Sequence, residues 1–198
     1  VTVAVTYSGD FFQGRRELVL ASARFVVPVL KRLLRPQSVL DLGCGEGEWL
    51  EVFDLPCMVG VDIAASDEFF QHDLTEPLDL GVTFDVVLCL EVGEHLPEEA
   101  ADVLVSSCAR HSDDVVFSAA VPGQEGKGHI NLQSHEYWAE KFERRGFVQY
   151  DEIRPRIQSR QVSPWYRENI FLYRHGVDSR ALTRENIPGR SERRVPDG

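Results

Sequence analysis

The residues best equipped for chemistry fall into two groups, the first being Glu91, Glu94 and His95, which read Glu-x-x-Glu-His directly after an apolar run. If that stretch turns helically, Glu91 shares a face with the residues three and four positions on, so two carboxylates and an imidazole can share one divalent ion, Mg²⁺ or another. A second histidine, His129, stands far downstream in Gly128-His129-Ile130-Asn131, where it can serve as a fourth ligand or as the general base. Glu91, His95 and His129 are therefore the candidate catalytic residues, and Glu91, Glu94, His95 and His129 the candidate metal ligands. The competing reading is structural: Glu94 and His95 cap and anchor a helix that opens at Pro97.

The second group surrounds a glycine turn. Val39-Leu40-Asp41-Leu42-Gly43-Cys44-Gly45-Glu46-Gly47 is an apolar strand running into a glycine-rich turn ahead of a helix. Glycines at 43 and 45 let a ligand touch backbone, at the strand end where open α/β sheets bind ligands. Asp62 lies 19 positions after Gly43, where the acid that takes a ribose diol is expected in dinucleotide-type domains. The turn is GxGxG rather than GxGxxG, so it need not make room for a pyrophosphate, and a carboxylate at Asp41 would repel one. A cationic ligand fits better, such as a sulfonium with an amino acid moiety.

Alternating elements must position these groups. Residues 15–34 carry apolar positions at helical spacing, with Pro28 expected to kink or divide the segment. Strands are expected at 38–42, 57–61, 69–73, 84–90 and 115–119, with a short helix near 49–53 and a helix from Pro97 to about Arg110. Ser134 is a suitable N-cap for HEYWAEKFERRG, with Gly146 as its stop. Two last strands, 147–153 and 169–173, follow each other without a helix between them and suggest an antiparallel edge pair. The fold class is α/β: a doubly wound, mostly parallel seven-stranded sheet in one domain over residues 1–175, with 176–198 as a mobile tail. No internal repeat or heptad pattern is visible, and the oligomeric state stays open.

Composition sets the remaining bounds. The chain has 198 residues and a net charge of −11, and residues 41–114 hold 19 acids against one base, Arg110, which leaves the rest net positive. An acidic centre repels a phosphate backbone, which argues against duplex nucleic acid. No apolar run reaches the roughly 18 residues of a membrane span, and nothing at Val1 to Gly14 resembles a secretory signal, so a cytoplasmic location is expected. Cys44, Cys57, Cys89 and Cys108 are spaced as buried free thiols rather than as pairs. His111 is expected to face solvent at a helix end. Tyr137, Trp138, Trp165 and Tyr166 are read as core or as an acceptor pocket, and Arg154, Arg156, Arg160 and Arg167 as solvated surface or as contacts to an anionic acceptor.

In order and spacing, VLDLGCGEG, GVDIA, HDLTEPL and FDVVLCLEVGEHLP resemble the successive motifs of class I S-adenosylmethionine-dependent methyltransferases, across roughly residues 35–175. The resemblance implies a Rossmann-like methyltransferase fold with S-adenosylmethionine as cofactor. Gly43 and Gly45 would contact the methionine part and Asp62 the ribose. Asp73 and Leu74 would meet the adenine and Ile63 pack on its face, with Asp41 and Leu90 completing the pocket. The ExxEH with a distant histidine looks like the metal-binding pattern of plant small-RNA 2′-O-methyltransferases and quinone-biosynthesis O-methyltransferases. The segment from Gly128 to Phe171 resembles small bacterial methyltransferases of glycan and natural-product pathways. The leading expectation is thus O-methylation of a small hydroxylated acceptor, a sugar or natural product, assisted by a metal. N-methylation, an RNA 2′-hydroxyl acceptor and a catalytically inactive nucleoside-binding module are the alternatives.

Overall fold

The computed structural model describes residues 9–64 and 68–176, residues 9–14 by backbone alone. The expected tail from 177 onward lies outside them. Helix α1 (Gly9–Leu34) leads into β1 (Ser38–Leu42), α2 (Glu48–Phe53), β2 (Cys57–Asp62), β3 (Phe70–Gln71) and β4 (Val86–Leu90). There follow α3 (Ala101–His111), β5 (Asp114–Ser118), α4 (His135–Glu143), β6 (Phe147–Tyr150), α5 (Pro164–Asn169) and β7 (Phe171–His175). Pro28 does not divide α1. It and Arg24 face solvent, where water can serve the Arg24 carbonyl that proline leaves without an amide.

The seven strands run in the order β3-β2-β1-β4-β5-β7-β6, parallel except that β7 is antiparallel to both of its neighbours. Period-two alternation divides the core between the two faces of the sheet. Leu40, Leu42, Val87, Cys89, Val115 and Phe117 pack with Leu104 of α3 and Trp138 and Phe142 of α4. Val39, Val86, Leu88, Leu90 and Val116 pack instead with Val26 and Leu30 of α1, Trp49 of α2 and Tyr166 of α5. Strand order reverses between β1 and β4, which makes a crevice at their carboxyl ends.

Several expectations need correction. The last two strands are not joined directly: a 3-10 turn at Arg154–Arg156 and α5 intervene. Pro164 at the start of α5 and the short apolar set Tyr166, Ile170 are too brief a periodic signal to read as a helix. β4 begins two residues late, because Phe84 N donates to His111 O and the Asp85 carboxylate accepts from the amides of Gln37 and Ser38. β3 keeps two residues, since Phe69 turns inward: a Cβ at Gly60 would meet its ring at 2.6 Å. His111 is fully buried, its Nδ1–H donating to Ser107 O at 2.6 Å while Nε2 accepts from Leu80 N. Cys57 is exposed, whereas the other three thiols are buried. Among the described residues no helix is long and apolar enough to cross a membrane.

Candidate active site

The glycine turn closes onto the end of β2. Gly43 N and Cys44 N both donate to Val61 O, at 2.8 and 3.1 Å, and Gly45 N donates to Asp62 Oδ2 at 2.9 Å. Gly43 and Gly45 have φ of +78° and +57°, a conformation that costs other residues about 1–2 kcal/mol. A Cβ at Gly43 would also lie 2.3 Å from Val92 Cγ2. The missing side chain therefore lets the segment after β4, which carries Glu91 to His95, lie against the turn.

Asp41 sits behind this turn, 1% exposed, with Oδ2 lacking a partner. Burial above all, then the carboxylates of Glu48 and Asp62, push its pKa up to about 8. A positive charge beside Asp41 would favour its ionised form and lower this pKa. Asp62 also accepts from Ala64 N at 3.0 Å, and each of its oxygens keeps a lone pair for a diol. Ile63 is 62% exposed at the rim. Thr75 donates through N and Oγ1 to Asp73, holding that carboxyl below its ordinary range. Leu74 and Leu90 bury their side chains in the two cores, so only their backbones remain for a ligand. Arg16 joins α1 to this region through Glu46 and Glu51.

Beside the turn, Glu94, His95 and His129 bring one ligand atom each within 4.8 Å of one another. Glu91 falls outside this group. It directly follows β4 at φ +59°, its amide donating to Ser118 O, and the helical turn begins only at Gly93, so the face expected from i, i+3 and i, i+4 spacing does not form. Its carboxyl nevertheless lies against that of Glu94, and burial raises both, Glu94 further because of its neighbour. Glu94 is fully buried and neither carboxyl oxygen has a partner. Two unpartnered oxygens at this depth are costly unless a proton or a cation meets them.

The two histidines are oriented by one loop. His95 Nδ1–H donates to Gly128 O at 3.1 Å and His129 Nδ1–H to Gln124 O at 2.9 Å. A carbonyl can only accept, so each neutral ring must carry its proton on Nδ1 and leave the Nε2 lone pair free. Burial first, then His129, pushes His95 below its ordinary pKa. The loop is fastened to the other half of the site, because Ile130 N and Asn131 N donate to Glu94 O and Asn131 Nδ2 to Gly93 O. Sequence reasoning did not single out Asn131 or Gln124. Gly126 had a signal, its place in a glycine-rich loop, and a Cβ there would lie 2.5 Å from the His129 ring. Of the aromatic residues, Trp138 and Tyr166 belong to the core, while Tyr137 and Trp165 are half-buried.

Comparison with known proteins bears on the family and the fold. A family model described as a methyltransferase domain matches residues 12–118, more than half of the chain. The sugar N-methyltransferase KedS8 from Streptoalloteichus sp ATCC 53650 superposes with a TM-score of 0.63 at 20% identity, covering 88% of this chain and 98% of that one. SAM-bound CalS10, an amino pentose methyltransferase from Micromonospora echinaspora involved in calicheamicin biosynthesis, gives 0.64 at 16% identity, over 88% and 100%. The methyltransferase domain of bacterial CtHen1-C gives 0.60 at 19% identity, over 81% and 100%. No curated protein sequence matches.

Proposed function

We propose, from the premise that this chain belongs to the methyltransferase domain family and is an S-adenosylmethionine-dependent enzyme, that it methylates a hydroxyl of a small acceptor, a sugar or natural product, with help from a divalent cation. The observation that carries this reading is the convergence of the buried Glu94 carboxylate and two imidazoles with free Nε2 atoms at the lip of the glycine turn. Such a donor set, one carboxylate oxygen and two ring nitrogens with their rings fixed, suits a first-row divalent ion better than Mg²⁺, which prefers oxygen. When bound, the ion lowers the cost of deprotonating an acceptor hydroxyl.

The chain's own residues do the rest. Methyl transfer from a sulfonium is an in-line displacement, so alignment and exclusion of water matter most. The glycine turn and Asp62 hold the nucleoside and Asp41 faces the cationic end. With Glu94, His95 and His129 engaged, Glu91 is the group left to take the acceptor's proton; without an ion, Nε2 of His129 takes it.

A methylation assay over hydroxylated and amino sugars, run with and without a chelator, tests the reading. O-methyl product that disappears on chelation and returns with Mg²⁺ or Mn²⁺ supports it. Chelator-insensitive turnover of an amino sugar overturns it in favour of N-methylation. Cofactor binding without any product supports an inactive module.

A further inference from the structure

We infer that Gln124, whose backbone oxygen accepts from the His129 ring, is the positioning residue of His129. This rests on reading His129 as a ligand or base. The loop between β5 and His129 has little structure of its own: Gln124 N donates to Val121 O and His129 N to Gly126 O, each a single turn. What fixes the carbonyl that orders the His129 ring is the Gln124 side chain. Its Oε1 accepts from Asn169 Nδ2 at 2.8 Å and from Val121 N at 3.2 Å, while its Nε2 donates to Glu168 Oε2 at 3.0 Å.

The anchor is itself rigid. Asn169 is 1% exposed at the end of α5, and its Oδ1 accepts from His135 Nε2 at the start of α4. The Gln124 side chain is thus clamped to α5, and through Asn169 to α4, while its backbone oxygen holds the Nδ1–H of His129. Glutamine suits the position because one end must accept twice and the other must donate to a carboxylate. α5, invisible to sequence reading, thereby sets which nitrogen of a site histidine carries the lone pair.

The test is long-range ¹H–¹⁵N spectroscopy of the neutral imidazoles in the metal-free protein, together with calorimetric titration by Mn²⁺. Wild type is expected to show His129 only as the Nδ1–H tautomer. Gln124→Ala should give a tautomer mixture and, by analogy with other outer-shell partners, about tenfold or greater loss of Mn²⁺ affinity. His111, buried on its own partners Ser107 and Leu80, reports whether the fold survives in the same spectrum. The exchanged pair Q124E with E168Q restores donor and acceptor in swapped order, and should recover the tautomer. A Gln124→Ala protein with an unaltered His129 signal, or a swap that fails to rescue while His111 is unchanged, overturns the inference. If wild type takes up no Mn²⁺, the cation reading fails while the tautomer still decides the role of Gln124.

Discussion

The rings of His95 and His129 meet edge to face with centroids 4.9 Å apart, and both are steered by carbonyls of the same loop. On the proposed cation reading, two imidazoles held this way and the buried Glu94 carboxyl are the ligands. Alanine at either histidine should therefore weaken Mn²⁺ binding by roughly tenfold or more, with little change in affinity for S-adenosylhomocysteine; calorimetry with each ligand in turn checks the split. Equal losses for both ligands would mean that the histidines support the nucleoside pocket instead.

Gly126→Ala isolates the loop. Its backbone tolerates alanine, but the new methyl would lie 2.5 Å from the His129 ring and must push it aside. Mn²⁺ affinity should fall while the thermal midpoint moves little, because the loop is largely solvated.

The two glycines of the turn should not be equivalent. At Gly43 a methyl meets both left-handed strain and Val92 at 2.3 Å, whereas at Gly45 the nearest atom is 3.7 Å away. Gly45→Ala should cost about 1–2 kcal/mol of stability and Gly43→Ala clearly more, in denaturant unfolding.

Asp41 links the site to pH. Its folded pKa, about 8, lies above the ordinary 3.8, so its contribution to stability is complete below the lower value and is lost as pH rises through the higher one. Asp41→Asn should therefore gain on wild type in unfolding free energy as pH goes from about 4 to about 8, by up to about 1.4 kcal/mol per pH unit. Binding of S-adenosylmethionine should release a proton and tighten over the same window in wild type alone. Calorimetry in buffers of different ionisation heat counts that proton.

Glu94→Gln should stabilise the cation-free protein at neutral pH, since an amide removes the cost of burying an acid that is ionised in the unfolded chain and whose folded pKa is raised by burial and by Glu91. The same variant should lose the stabilisation that Mn²⁺ gives wild type. Chemical denaturation with and without the ion measures both effects.

What the sequence made legible was whatever repeats a local pattern. The strands around Leu40, Val61 and Leu88 announce themselves by apolar runs, and the Gly43 turn with Asp62 by spacing alone. Hidden from it were relationships set by tertiary packing. Histidine at 111 looks like any polar helix end until Ser107 and Leu80 close around it. Glu91 was placed on a shared helical face because its spacing from Glu94 is helical, but the bond from its amide to Ser118 holds it to the strand. Nothing near Gln124 signals that proposed role, since Glu168 and Asn169 lie 44 and 45 residues away.

The placement of β7 has a consequence for how the molecule comes into being. The strand made last lies between β5 and β6, both made earlier, and supplies every ladder bond that ties β6 to the rest of the sheet. A nascent chain can assemble its nucleoside-facing half while still on the ribosome, but β6 has no partner until residue 175 has emerged. Completion of the sheet therefore waits for its last strand, and any truncation before Phe171 leaves two open strand edges facing water.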